Sequence, residues 1–123
     1  MERPQPNQLE VLKHLFRMRF DGEVIHTETD ERLNVLDENF EEVEELDLSG
    51  IYEHYKSKAD DRKLYYVDRV QRNLETGECL VVYMPLYDLD VARIYVRPLS
   101  GFTGTVEADG EGVSRFRYLD PEV

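Results

Sequence analysis

Arg97 is the residue of this chain whose type and position best suit ligand binding. It ends a predicted strand and directly precedes Pro98, which holds the residue before it in an extended conformation. Its side chain therefore points in a fixed direction, and its planar guanidinium suits a carboxylate, a phosphate or a stacked base. The competing interpretation is a structural salt bridge, with Glu53, Glu78 or Asp68 as the partner.

Tyrosines and one histidine extend this candidate site. Tyr52, Tyr83 and Tyr87 are candidates for the aromatic walls of a groove. Their alternative role is core packing, with the hydroxyls at the rim of the domain. His54 lies in a predicted strand and is a candidate proton carrier or ligand, or else a half-buried structural histidine.

A second arginine can line the same groove. Arg115 and Arg117 lie on one face of a predicted strand, and Phe116 lies on the other. This pattern is also that of an ordinary amphipathic strand. We therefore include Arg115 among the candidate binding residues.

No catalytic signature accompanies these residues. The chain has no phosphate loop, dinucleotide fingerprint, zinc-binding pattern or nucleophile elbow. Its three histidines, His14, His26 and His54, are dispersed and have no helical i, i+4 ligand spacing. We therefore assign no catalytic residue, no metal and no cofactor. The single cysteine, Cys79, is expected to be a half-buried structural thiol.

The composition indicates one globular domain, or one domain with an arm. The 123 residues are 41% hydrophobic and carry a net charge of −12. Residues 1–49 contribute −9 (14 acidic and 5 basic), and the rest −3. Phosphate backbones repel such a surface, which counts against nonspecific nucleic-acid binding. A lone cysteine, no signal-peptide pattern and no apolar run long enough to span a membrane together indicate a cytoplasmic protein.

The N-terminal part allows two interpretations. Asn7 and Glu10 have capping-box spacing, and apolar residues recur every three or four positions, which predicts a helix over about 8–20. The alternative is a hairpin around an Asp21-Gly22 turn; the helix is slightly favoured. Residues 32–48 predict a short strand followed by an acidic helix.

From residue 49 onward, short alternating runs separated by turns predict antiparallel strands. Strands are expected over about 50–56, 64–72, 78–87 and 92–97, with a turn at 88–90 and a final hairpin over 103–118. Pro85 marks an edge or bulge, which leaves dimerisation open. The predicted fold is mainly β with minor α: a small SH3-like antiparallel barrel over 49–123, preceded by an acidic, partly helical extension over 1–48 that packs on or beside it.

An ordered series of motifs runs from residue 50 to about 118. It comprises Gly50-x-Tyr52-x-His54-Tyr55-Lys56, Glu75-Thr-Gly-Glu78, Val82-Tyr83-x-x-Leu86-Tyr87, Val96-Arg97-Pro98 and Arg115-Phe116. This order resembles a small bacterial family known as domain of unknown function sixteen fifty-three. The resemblance implies a compact β domain and no established reaction. The chain departs from that family at Tyr95, where the family usually has Trp, and at residues 57–63, an apparent insertion.

Three functions are compatible with these residues. The first, which we favour, is a non-enzymatic binding module whose Tyr- and Arg-lined groove takes a protein surface or a small anionic molecule. The second is an acidic regulator in which the carboxylates of residues 37–47 mimic a phosphate backbone and bind a basic partner. The third is a small enzyme that acts on a nucleotide or nucleic-acid component through His54 and Arg97. The oligomeric state stays open, and no membrane partner is expected.

Overall fold

The computed structural model describes residues 8–86 and 93–119. The predicted cap at Asn7, the side chain of Tyr87 and the predicted turn at 88–90 lie outside these residues. The described elements are α1 (Gln8–Arg19), β1 (Glu23–His26), β2 (Arg32–Asn34), β3 (Phe40–Glu42), β4 (Gly50–His54), β5 (Leu64–Asn73), β6 (Cys79–Pro85), β7 (Tyr95–Pro98), α2 (Leu99–Thr103), β8 (Thr105–Ala108), β9 (Glu111–Ser114) and β10 (Phe116–Leu119).

The fold is mainly β, as predicted, but the sheet is open. Eight strands form it in the order β10-β4-β5-β6-β7-β1-β2, and β3 pairs with β5 beside this path. The closed barrel that we predicted is not found among the described strands. The physical reason lies at β7, whose outer edge pairs in parallel with β1 (Ile25 with Tyr95) instead of closing the sheet.

Strand β5 contains a β-bulge. The pairing of β5 with β6 shifts register between Val67 and Arg69, which leaves Asp68 as the extra residue of a bulge. The bulge reverses the alternation of side chains, so that Val67 and Val70 face the same side and join one core cluster. The sheet therefore packs against a mainly aromatic cluster on one face and a mainly aliphatic cluster on the other.

Helix α1 covers the aliphatic face, which confirms the helical interpretation of residues 8–20. Phe16 is fully buried there, with its ring centroid 5.1 Å from that of Phe20 and 6.0 Å from that of Tyr66. The same cluster contains aliphatic residues of β1, β6, β7 and the loops beside them: Val24, Val35, Leu80, Val82, Met84, Ile94 and Val96. The apolar stripe of the helix thus finds its partner on the sheet, which is the main source of helix stability in proteins.

The acidic helix predicted within residues 32–48 is wrong. The segment continues from the predicted short strand into a turn, then into β3 and an irregular stretch over 43–49. β3 finds hydrogen-bonding partners on β5, and Arg72 Nη1 lies 3.1 Å from Glu41 Oε1. Asp37 and Asp47 accept backbone N–H groups two residues later, a local pattern that competes with helix formation.

The predicted final hairpin is shorter than expected. Only β8 and β9 pair, around a turn in which Asp109 and Gly110 have positive φ angles of 53° and 82°. The N–H of Arg115 donates to the carbonyl of Gly104 and closes this hairpin at its base. The chain then leaves the hairpin, and β10 pairs with β4 instead.

Candidate functional site

Aromatic rings cover one face of the sheet. Side chains alternate along a strand, so β4, β6, β7 and β10 send alternate residues to this face, and β5 does so on either side of its bulge. Phe102 of α2 closes over it and stacks on Phe116, with centroids 4.3 Å apart. This aromatic face consists of Tyr52, His54, Tyr65, Tyr83, Tyr95, Phe102, Phe116 and Tyr118.

Tyr83 lies at the centre of the aromatic face. Its ring centroid is 5.5 Å from those of Tyr65 and Phe102 and 5.7 Å from that of Phe116, and only 2% of the residue is exposed. Enclosed on these sides, the ring is part of the core. A ligand outside the domain can therefore reach the rim of this cluster but not the ring faces of Tyr83.

Tyr52 is likewise a core residue. It is 8% exposed, and its hydroxyl donates to the backbone carbonyl of Leu48 at 2.9 Å. Burial, followed by the charges of Tyr118 and Asp47, raises the pKa of Tyr52 to about 12. The phenol thus stays neutral and anchors the irregular stretch before β4.

Arg97 extends from β7 to the rim of the aromatic face. Its Nε donates to the Tyr83 hydroxyl at 3.4 Å, a long hydrogen bond, and its Nη1 lies 3.9 Å from Glu28 Oε1. The side chain of Arg97 is 18% exposed. Of the partners proposed from the sequence, Glu53 pairs instead with Arg62 and Arg117, and Asp68 with Arg69.

His54 is half-buried on the same face. Its ring centroid lies 4.6 Å from that of Tyr55 and 5.1 Å from that of Phe116, and its Nδ1 accepts the N–H of Lys56 at 3.1 Å. Burial, and then the charges of Lys56, Arg115 and Arg97, lower the pKa of His54. The imidazole is therefore neutral at pH 7, and because Nδ1 is an acceptor, its proton is on Nε2.

Arg115 has one unsatisfied side-chain donor. Its Nε is buried and has no hydrogen-bond partner within the described ranges. The backbone on both sides is fixed, because Arg115 donates to Gly104 and accepts from the N–H of Tyr55, each at 3.0 Å. We call His54, Lys56, Arg97 and Arg115 the cationic cluster, because the charges of the three basic side chains all lower the pKa of His54.

A cleft of about 450 Å³ opens beside His54, between the β8–β9 hairpin and the end of β4. It combines apolar and hydroxyl-bearing side chains with the ion pair of Glu53 and Arg117. We call it the hairpin cleft; its lining residues are Glu53, His54, Tyr55, Ser57, Ala108, Val113, Ser114 and Arg117. Its volume is in the range of small-molecule sites.

Glu53 is the anchored carboxylate of the hairpin cleft. It accepts hydrogen bonds from Arg62, Arg117 and Ser57, which lower its pKa to about 2. Its side chain is 14% exposed. With three donors already engaged, Glu53 holds the strand ends together and is a poor candidate for a proton carrier near neutral pH.

A second cleft, of about 420 Å³, lies between α1 and β5. Its floor carries Asp68, whose side chain is 3% exposed and accepts from the Tyr66 hydroxyl at 3.0 Å and Arg69 Nε at 2.8 Å. These contacts account for both carboxylate oxygens. The charges on this floor are therefore paired with one another and with Glu42 of β3, and they offer little to a ligand.

Of the residues singled out from the sequence, Arg97 contacts Tyr83, and the charges of Arg97 and Arg115 lower the pKa of His54. Tyr52 lies on the same face but is enclosed by Phe102 and Tyr118. Sequence reasoning missed Lys56 as a member of the cluster, although it directly follows the quoted His-Tyr pair. Only the turn after β4, where the N–H of Lys56 meets His54, reveals its role.

Two features are absent from the part of the chain that the structure describes. No group of three His, Cys, Asp or Glu side chains there has the arrangement of a metal site. None of the helices within 8–86 and 93–119 has the length and apolar character needed to cross a membrane.

Comparison with known proteins gives one match. No curated protein and no solved structure matches the chain. A family model described as "Protein of unknown function (DUF1653)" matches residues 50–118, from the start of β4 almost to the end of β10. The match thus includes the aromatic face, the cationic cluster and the hairpin cleft. Because it spans more than half of the chain, this protein belongs to the DUF1653 family.

Proposed function

We propose that the protein is a non-enzymatic binding module that holds an anionic group at the cationic cluster. In this proposal residues 50–118 form an open, SH3-like arrangement. The meander β4-β5-β6-β7 and the return of β10 to the side of β4 support that interpretation. The rigid aromatic face then serves to position the basic side chains at its rim.

The observation that carries the proposal is the buried Nε of Arg115. Buried polar groups in folded proteins are nearly always hydrogen-bonded, and an unpaired donor costs about 1–3 kcal/mol, more when charged. The Nε of Arg115 has no partner in the described part of the chain. An anionic ligand would satisfy this donor only after the Arg115 side chain turned to expose it.

The charge balance around the cluster supports the same conclusion. The whole chain carries −12, yet the carboxylate of Glu28, 3.9 Å from Arg97, is beyond hydrogen-bonding distance. Glu53 is occupied by its own arginines. Arg97 thus has an ion-pair partner without a direct hydrogen bond, and basic side chains of this kind can attract an anion locally while the overall charge still repels nucleic acid.

The test is a titration of ¹⁵N-labelled protein with sodium acetate and sodium sulfate, followed by amide chemical shifts. We expect shifts concentrated at residues 54–56 and 115, with affinity reduced about tenfold in Arg97→Ala and in Arg115→Ala. Arg32→Ala, at an exposed arginine of β2, is the matched control and should bind as the wild type does. Shifts spread over the whole surface and insensitive to all three substitutions would reject the proposal.

A second candidate is a small enzyme acting on a nucleotide component. The observation in its favour is that His54, neutral and held in one tautomer, lies on the same face as Arg97. This candidate predicts turnover that His54→Asn abolishes, whereas the binding module predicts that the variant binds its ligand without any turnover.

A further inference from the structure

The hairpin cleft begins where the ladder between β4 and β10 ends. Among the described residues, this ladder finishes with the hydrogen bond from the N–H of Tyr55 to the carbonyl of Arg115. Beyond it the chain after β4 turns back, with the N–H of Ser57 donating to the carbonyl of His54, whereas β9 leads away from Arg115 as an extended strand. The two segments separate there and line opposite sides of the cleft. The cleft thus occupies the place of a further strand beside β9.

Strand β9 has a free edge beside this cleft. In an antiparallel pair of strands, hydrogen-bonded and non-hydrogen-bonded residue pairs alternate. The bond from the N–H of Arg115 to the carbonyl of Gly104 fixes this alternation, so Ser114 and Gly112 form non-hydrogen-bonded pairs with β8. Their own N–H and carbonyl groups therefore point away from β8. In the part of the chain that the structure describes, these groups have no backbone hydrogen-bond partner.

Gly112 keeps this edge uncovered. The residue is exposed, and a Cβ atom built on it would have no neighbour within 4 Å. Its φ angle is outside the left-handed range, so the backbone does not require glycine at this position. A glycine inside a strand weakens the strand and often marks a place where another backbone approaches closely.

The hairpin that carries this edge is acidic. Residues 105–114 contain Glu107, Asp109 and Glu111 and no Lys, Arg or His. Glu107 lies directly opposite Gly112 and therefore on the same face of the hairpin. A basic side chain opposite Gly112 on an added strand can reach Glu107 across the glycine. A second copy of this hairpin would instead place like charges beside one another, which is unfavourable.

We propose that β9 takes up an extended, basic segment of a partner protein as an additional β-strand in the hairpin cleft. Main-chain hydrogen bonds to Gly112 and Ser114 provide affinity, as is general for strand addition. Ala108 and Val113 line the cleft for apolar side chains of the segment, and Glu107 on the exposed face receives its basic side chains. The partner segment therefore alternates apolar and basic residues. This proposal goes beyond the proposed function, because the added strand uses neither guanidinium group of the cationic cluster.

The experiment is an NMR titration of the ¹⁵N-labelled full chain with a short blocked peptide in which valine and lysine alternate. We expect the amide protons of Gly112 and Ser114 to shift downfield and to exchange more slowly with solvent, because both gain hydrogen-bond acceptors. A peptide of the same length in which valine and glutamate alternate is the charge control. It should bind about tenfold more weakly, because its carboxylates face those of the hairpin.

Two proline substitutions on opposite edges of the hairpin isolate the main-chain contacts. Ser114→Pro removes an N–H that points outward from β9 and should weaken binding of the valine–lysine peptide about fivefold. Thr105→Pro is the matched control, because Thr105 lies directly opposite Ser114 and its N–H points outward from β8. This variant should bind the peptide as the wild type does. Circular dichroism of both variants checks that the fold is retained.

A charge reversal tests the partner without touching the backbone. Glu107→Lys, at an exposed position, should weaken binding of the valine–lysine peptide and strengthen binding of the valine–glutamate peptide, each about two- to fivefold. This variant also decides the question if Ser114→Pro fails to fold.

Four outcomes would overturn the proposal. Amide protons of Gly112 and Ser114 that stay unchanged at saturating peptide would exclude strand addition at β9. Equal losses in Ser114→Pro and Thr105→Pro would show that binding does not depend on this edge. Equal affinity for the two peptides would exclude a basic partner. A dimer of the free chain that Ser114→Pro dissociates would show that a second copy occupies the edge instead.

Discussion

Gly50 faces the ring of Tyr118 across the β4–β10 ladder. The φ angle of Gly50 is +143°, and a Cβ atom at this position would lie 2.6 Å from Cε1 of Tyr118. The ring is half-exposed and can turn away, whereas the backbone angle cannot be kept by an L-residue without strain. The backbone angle thus explains why glycine occupies position 50, the first residue of the matched family segment.

Gly50→Ala should therefore lower the free energy of unfolding by about 1–3 kcal/mol. Urea denaturation monitored by circular dichroism measures this loss. Gly112→Ala is the control, because no atom lies within 4 Å of its would-be Cβ and its φ is not in the strained range. Equal losses in the two variants would show that the angle at Gly50 is not the cause.

Phe16 is the side chain through which α1 should stabilise the sheet. Phe16→Ala is expected to lower the free energy of unfolding by about 3–5 kcal/mol, since the residue is fully buried against Phe20 and Tyr66. Met18→Ala, on the same helix but 72% exposed, should change it by less than about 0.5 kcal/mol. If Phe16→Ala is too unstable to measure, Phe16→Leu gives a smaller loss of the same sign. A loss no larger than that of Met18→Ala would mean that the helix does not contribute to the core.

Glu53 should make the protein sensitive to acid. Its pKa is lowered from 4.5 to about 2 in the folded state, so its stabilising effect is complete above pH 4.5 and is lost as the pH falls through 2. Glu53→Gln should cost about 1–2 kcal/mol at pH 7, because its arginine partners are partly exposed and screened.

The pH profile identifies this carboxylate. Between pH 5 and pH 2 the stability of Glu53→Gln should fall less than that of the wild type, as measured by urea denaturation at each pH. Glu107→Gln, on the exposed β8–β9 hairpin, should retain the wild-type profile. Parallel profiles for wild type and Glu53→Gln would contradict the assignment.

Removing the hydroxyl of Tyr83 should affect sulfate binding, whereas removing the hydroxyl of Tyr52 should affect stability. Tyr83→Phe removes the acceptor of Arg97 Nε and should weaken sulfate binding about two- to threefold with little change in stability. Tyr52→Phe removes the bond to the Leu48 carbonyl and should cost about 1 kcal/mol of stability without weakening sulfate binding. A reversed pattern would show that Tyr83 does not position Arg97.

The strands from residue 50 onward could be predicted because they alternate in polarity between clear turn residues. The conformation of the acidic run after residue 36 could not be predicted. Its apolar residues are spaced as in a helix, but in the folded protein part of the segment pairs with another strand. There β3 finds the backbone of β5, and Arg69 and Arg72 supply charges opposite Glu42 and Glu41. Local periodicity is thus overridden by a contact distant in sequence.

The residues of the candidate site could be named from the sequence, but their arrangement could not be predicted. Arg97 was identified from the following proline, and Arg115 from its strand position. Tyr83 was proposed to line a groove, yet its ring lies inside the core, because Tyr65, Phe102 and Phe116 surround it. The unsatisfied Nε of Arg115 depends on burial by residues far away in sequence, which no local pattern encodes.

The parallel pairing of β1 with β7 also has a consequence for the rate of folding. Thr27 Oγ1 donates to the carbonyl of Val96, 69 positions away in the chain, whereas β5 and β6 meet across a short turn. Closing a long loop costs more entropy than closing a short one, and chains rich in distant contacts fold slowly. The β5–β6 hairpin should therefore form early, and the β1–β7 ladder should be among the last parts of the sheet to assemble.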